Sequence, residues 1–115
     1  MRHSAKLKKL SRATDQRLAI LNSEAAALLR YGRIKLTLSR AKQVRGIVEP
    51  LISRAKRGDL NARRQVGRVI KDKKLLKSLF DMASRFEGRP GGFTRIIHLM
   101  ARRGDAAPMA LLELV

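Results

Sequence analysis

The chain has 115 residues, with 27 Lys and Arg against 9 Asp and Glu, a formal net charge of +18. It has no cysteine, which excludes disulfides, thiol chemistry and thiolate metal sites, and no apolar run approaches the ~20 residues of a membrane span. At 44% hydrophobic residues it is too apolar for a disordered basic tail.

So large a positive excess repels itself in a compact monomer, and a polyanion relieves that repulsion. Nucleic acid is the foremost candidate, because each neutralised phosphate releases condensed counterions and adds affinity. Aromatic residues make up only 3%: Tyr31, Phe80, Phe86 and Phe93. That scarcity argues against base stacking on an aromatic platform and for contacts to phosphates and sugars of folded RNA.

Residues 1–13 carry Arg2, His3, Lys6, Lys8, Lys9 and Arg12 and no acid. Leu7 and Leu10 are too sparse to pack an element, and no apolar stretch resembles a secretory signal, which fits a cytoplasmic protein. The segment reads as a basic arm that orders on binding.

Thr14 is the expected cap of a first helix, with Asp15 in its first turn, where a carboxylate suits the helix dipole. Leu18, Leu21, Ala25 and Leu28 give it one apolar face, and Gly32 supplies a left-handed stop. Alternation over residues 33–38 predicts a strand, with Ile34, Leu36 and Leu38 on one face and Arg33 and Lys35 sharing the other with Thr37.

Ser39 is placed to cap the next helix. Its apolar stripe is Ala41, Val44, Val48, Leu51 and Ala55, while Arg40, Lys42, Arg45, Arg54, Lys56 and Arg57 lie mainly off it. Pro50 lacks the N–H that would bond the Gly46 carbonyl, which predicts a kink. Gly58-Asp59 reads as a stop and a new cap, followed by a short helix through Ala62, Val66, Val69 and Ile70. Asp72 caps another helix, which buries Leu75, Leu76, Leu79, Phe80 and Ala83.

Residues 87–92, EGRPGG, form a loop. Two apolar runs, 93–100 and 109–115, are joined by ARRGDAAP and suit a β-hairpin. Ala110, Leu112 and Leu114 are expected to face the core and Glu113 to face outward. The facing of the 93–100 strand stays open, because apolar residues occur at both parities. The expected architecture is α+β in two layers. A small three-stranded sheet is covered by about four helices, in a single domain at 14–115 preceded by the arm.

Catalysis has little to stand on. The two histidines, His3 and His98, are far apart in sequence, and no cluster has metal-ligand spacing. GRPGG lacks the spacing and the Lys-Ser/Thr ending of a phosphate-binding P-loop. The chain is therefore not expected to be an enzyme or to need a metal, cofactor or small-molecule substrate. The basic sites are richer. Arg89, Arg95, Arg102 and Arg103 flank the glycine loop and the hairpin turn, and arginine suits phosphate oxygens through its planar fork. Gly91 and Gly92 leave the backbone open to close approach by a sugar-phosphate chain. With Arg33, Lys35 and the arm cations, these are the candidate RNA-binding residues.

Particular stretches resemble the bacterial large-subunit ribosomal protein L-seventeen family. They are Met1-Arg2-His3, Leu10-Ser11-Arg12, the strand at 33–38, Ala41-Lys42, and Val48-Glu49-Pro50-Leu51-Ile52. The most specific is Arg89-Pro90-Gly91-Gly92-Phe93-Thr94-Arg95-Ile96, and Gly104-Asp105, Met109-Ala110 and Glu113-Leu114 complete the set. The match spans the chain in order, and it is weak between Asp59 and Arg85. The resemblance implies an α+β domain in the large ribosomal subunit. It implies contact with ribosomal RNA near the rim of the peptide exit tunnel, neighbouring large-subunit proteins as partners, and a structural role without catalysis.

Two other readings stand beside it. A DNA-binding regulator would use the helices of 59–85 as a helix-turn-helix, leaving the arm and hairpin unexplained. A membrane-surface protein would use basic amphipathic helices, but it lacks aromatic anchors. Self-repulsion has a direct consequence for the free protein: its melting temperature is expected to rise as salt is added, as screening weakens the repulsion. Salt-insensitive melting would contradict this.

Overall fold

The computed structural model describes residues 14–115. The basic arm at 1–13 lies outside the described residues. In order, the chain forms α1 (Thr14–Tyr31), β1 (Arg33–Thr37), α2 (Leu38–Arg57), α3 (Leu60–Gly67) and α4 (Lys73–Met82). A turn of 3-10 helix (Ala83–Phe86), β2 (Thr94–Leu99) and β3 (Met109–Leu114) follow. This is the expected α+β architecture.

Local chemistry sets most of the boundaries. α1 already includes Thr14, one residue before the expected start, and Gly32 ends it at φ +81. The cap of α2 is Thr37, not Ser39: the Thr37 hydroxyl accepts from the Arg40 amide at 3.4 Å. The helix starts early because the Leu38 amide is already committed across the sheet to the Pro108 carbonyl at 2.9 Å. Gly58, at φ +69, closes α2, and Asp59 accepts from the Ala62 amide at 2.7 Å to open α3. Asp72 accepts from the Lys74 and Leu75 amides and opens α4.

α3 is shorter than its apolar spacing predicted. It ends at Gly67, and Val69 and Ile70 reach the core from a tight turn in which both amides bond to the Val66 carbonyl. Among the described side chains of α1, burial starts at Leu21. Leu18, expected on the apolar face, is exposed, because the first turns of the helix lie outside the packed region.

The sheet is antiparallel in the order β1-β3-β2, so the last strand is the central one. The register places Ile34, Leu112 and Ile96 in one row, and Leu36, Ala110 and His98 in the next. Ile34, Leu36, Ile96, Leu112 and Leu114 pack with Leu21, Ala25 and Leu28 of α1 and Val44, Val48, Leu51 and Ile52 of α2. α1 and α2 thus cover one face of the sheet. The facing of β2 is settled by Thr94 being buried while Arg95, Ile97 and Leu99 are exposed. Leu75, Leu79, Ala83 and Phe86 close the far side of α2.

α2 continues through Pro50, which is exposed like Gly46 four residues earlier. A Cβ built on Gly46 meets nothing within 4 Å, and its backbone is not left-handed. Nothing in the fold requires glycine there, and glycine weakens a helix interior by roughly 0.5–1 kcal/mol relative to alanine. Gly46→Ala is therefore expected to stabilise the protein by about that amount, read as a higher urea midpoint at unchanged slope.

Candidate nucleic-acid interface

Among the described residues no helix covers the second face of the sheet, where Arg33, Lys35, Arg95, Ile97 and Leu99 are exposed and Met109 is buried. Its rows run Arg33–Glu113–Arg95, then Lys35–Leu111–Ile97, then Thr37–Met109–Leu99. Side chains alternate along a strand, so the residues opposite the core-facing ones must share this face. Arg33, Lys35 and Arg95 are thereby brought together from two edge strands. One acid, Glu113, lies between the two arginines, and Arg95 Nε donates to its carboxylate at 2.6 Å. Arg33 and Lys35 make no ion pair or hydrogen bond through their side chains among the described residues. An apolar strip of Ile97 and Leu99, with Met100 91% exposed, runs beside the cations.

The glycine loop lies at the end of the sheet where β2 begins. It is held from α2 by Glu49. That carboxylate accepts from the Phe93 amide at 3.1 Å, the Thr94 amide at 3.0 Å and the Thr94 hydroxyl at 2.7 Å. Phe93 then turns into the core, edge-on to Phe86 with centroids 5.2 Å apart. Lys56 sits over the Phe93 ring and donates to the Arg89 carbonyl. Arg89 Nη1 donates to the Gly92 carbonyl at 3.2 Å.

The two glycines differ. Gly92, at φ +67, is required by its backbone conformation. Gly91 has no left-handed φ, and a Cβ there meets nothing within 4 Å. Glu49 is the positioning residue that sequence reasoning missed. Its one signal is an acid at the edge of the α2 stripe, with no helix start to cap.

Arg102 and Arg103 sit in the hairpin connection, at the opposite end of β2 from Arg89, Gly91 and Gly92. Six strand residues separate the two ends by about 17 Å, so these cations form two clusters, one at each end of β2. Arg102 is engaged inside the turn, donating from Nη2 to Asp105 at 2.6 Å. This bond, with one from the Ala107 amide, holds the Asp105 carboxyl down at about 2. Arg2, His3, Lys6, Lys8, Lys9 and Arg12 lie outside the described residues.

One part-buried acid, Glu24, behaves oppositely. Burial raises the Glu24 carboxyl above its ordinary value, and its ion pair with Arg40 at 3.0 Å offsets only part of that. The folded state therefore favours protonated Glu24, and this contribution to stability fades as pH rises through the raised pKa.

α3 and α4 are joined by residues 68–72 and bury Ala62, Val66, Leu75 and Leu79. The five-residue connection is longer than the 3–4-residue turn of a DNA-binding helix-turn-helix. Among the described residues no helix is long and apolar enough to cross a membrane.

Fold and surface define a class: a small, strongly basic α+β protein that presents one uncovered, cationic sheet face. Comparison with known proteins makes this specific. The Ribosomal protein L17 family matches residues 20–115. Large ribosomal subunit protein bL17 of Thermus thermophilus is 50% identical over 117 residues, covering 100% of this chain and 99% of that protein. The bL17 proteins of Desulfovibrio desulfuricans and Syntrophobacter fumaroxidans are 52% and 45% identical, over 99% and 100% of this chain and 68% and 77% of theirs. The chain belongs to the Ribosomal protein L17 family. This is a family of ribosomal proteins, not of enzymes, and it leaves the DNA-binding regulator without support.

Two outcomes follow from the geometry. Glu49→Ala leaves two amides without their acceptor, which costs about 1–3 kcal/mol. It is expected to lower stability by that amount and to speed hydrogen exchange at Phe93 and Thr94. Asp105 contributes stability above its ordinary pKa and loses it as pH falls toward 2. In Arg102→Ala its carboxyl is expected to titrate closer to the ordinary aspartate range, as followed by NMR.

Proposed function

We propose that the protein is a structural constituent of the bacterial large ribosomal subunit, in the cytoplasm, where it binds and stabilises folded ribosomal RNA near the rim of the peptide exit tunnel. The large-subunit relatives support the assembly, and the resemblance of the chain's motifs to the family supports the position. The observation that carries RNA binding is the open sheet face, on which the side chains of Arg33 and Lys35 have no partner among the described residues.

Phosphate oxygens accept from Arg33, Lys35, Arg95, Arg89, Arg102 and Arg103, and the backbone at Gly91 and Gly92 lies close to a sugar-phosphate chain. Arg2, His3, Lys6, Lys8, Lys9 and Arg12 belong to a basic arm of 1–13 that threads into folded RNA beside a single domain at 14–115. The exposed Ile97, Leu99 and Met100 suit contact with neighbouring large-subunit proteins.

Binding to a large-subunit ribosomal RNA fragment, titrated across salt concentration, tests the reading. With some six to ten phosphates neutralised, log affinity is expected to fall with log salt at a slope of about −4 to −9. Deleting residues 1–13 is expected to weaken binding and leave the melting temperature nearly unchanged. Salt-independent affinity would refute phosphate neutralisation, and unfolding on deletion would make the arm part of the core.

A further inference from the structure

A groove of about 560 Å³ runs between the second half of α2 and the glycine loop. Pro50, Ser53, Arg54 and Arg57 line it on the helix side, Gly91 and Phe93 on the loop side. We propose that this groove extends the RNA contact of the glycine loop onto α2, holding one stretch of sugar-phosphate backbone with Arg54 and Arg57 on its phosphates. The inference rests on the RNA-binding reading above and adds residues of α2 that lie off its apolar stripe.

Three observations carry it. First, Arg54 and Arg57 make no ion pair or hydrogen bond through their side chains among the described residues. Arg40, Arg45, Arg95 and Arg102 each face a carboxylate. Arg54 and Arg57 are three residues apart on a helix, so they project to the same side. Cations in the last turn also complement the helix dipole, which accounts for their sign and for nothing across the groove.

Second, Gly91 has no internal reason to be glycine. Its backbone is one that any residue adopts, and the space where a Cβ would stand is empty. An outside body that comes close to the main chain accounts for the missing side chain, as it does where backbone approaches a ligand.

Third, the loop wall is held in place before anything binds. Glu49 fixes Phe93 and Thr94, Lys56 holds the Arg89 carbonyl, and Arg89 holds Gly92. A wall ordered in advance lowers the entropy cost of binding.

Glu49 also lines the groove, and it is the one acid there. Its side chain is only 20% exposed, and its oxygens are occupied by the bonds to Phe93 and Thr94 and by Arg45 at 4.0 Å. The arginines therefore set the sign of the groove. A phosphodiester suits them because a guanidinium donates two parallel bonds to phosphate oxygens. The only aromatic ring in the lining, Phe93, is buried, so the site grips backbone rather than stacked bases.

The test uses the full chain and a large-subunit ribosomal RNA fragment, with affinity measured across salt concentration and melting temperature measured in parallel. The variants are Arg54→Gln with Arg57→Gln, Gly91→Leu, and, for the sheet face, Arg33→Gln with Lys35→Gln. The Arg54/Arg57 pair is expected to flatten the salt slope by about two, one for each cation, and to weaken binding roughly tenfold. Gly91→Leu is expected to weaken binding with its melting temperature unchanged, which a merely structural glycine would not do.

If the sheet-face variant weakens binding while both groove variants bind like the wild type, the groove proposal is overturned and the proposed function stands. If the wild type itself shows no salt-dependent binding, the proposed function fails and takes the groove with it. Loss of binding to poly-glutamate, with RNA affinity intact, would assign the groove to an acidic protein segment and also overturn the proposal.

Discussion

In the middle of α2, the carboxylate of Glu49 turns toward the start of β2 and accepts the amides of Phe93 and Thr94 and the hydroxyl of Thr94. These amides lie where the loop enters an edge strand, and a part-buried N–H without an acceptor costs about as much as a lost hydrogen bond. The contact ties the helical layer to the sheet. It seats Phe93 against Phe86 and sets where Arg89, Gly91 and Arg95 stand relative to α2. A helix that carries an interior Pro50 and an exposed Gly46 gains its stability from packing rather than propensity. The same helix thus depends on the contacts it organises.

Six of the nine acids are spent on the fold. Asp59 and Asp72 cap helices, Glu24 pairs with Arg40, Glu49 fixes the loop, Asp105 holds the hairpin turn and Glu113 meets Arg95. Most of the positive charge among the described residues is left without a carboxylate, and part of it gathers at two places. Arg33 and Lys35 stand on the open sheet face, and Arg54 and Arg57 stand along the groove. In the proposed function, ribosomal RNA is the counterpart of this leftover charge.

What the sequence made legible was local. Gly32, Gly58, Asp59 and Asp72 punctuate the helices as their chemistry requires, and the strand and hairpin patterns led to a three-stranded sheet. The misses needed knowledge of distant partners. Thr37 caps α2 in place of Ser39 because Leu38 is bonded to Pro108, far along the chain. Leu18 is exposed because nothing among the described residues packs over the start of α1, and Ile70 is buried from a turn rather than a helix. Apolar parity alone left β2 undecided, and its orientation follows from its register with β3. The role of Glu49 was hidden for the same reason, since its acceptors' donors lie more than forty positions later.

The strand order has a consequence for how the molecule is made. Among the described residues, β1 and β2 are both edge strands that pair only with β3, at residues 109–114. While the chain is being synthesised, β1 waits unpaired through every helix that follows it, and the sheet closes only when the last strand has emerged. Pairings this distant in sequence are slow to form, and until they do they leave apolar surface and strand edges uncovered. α1 and α2 can dock on each other earlier, but the basic sheet face comes into being in one late step. During synthesis, then, the open cationic face exists only once residues 109–114 have joined β1 and β2.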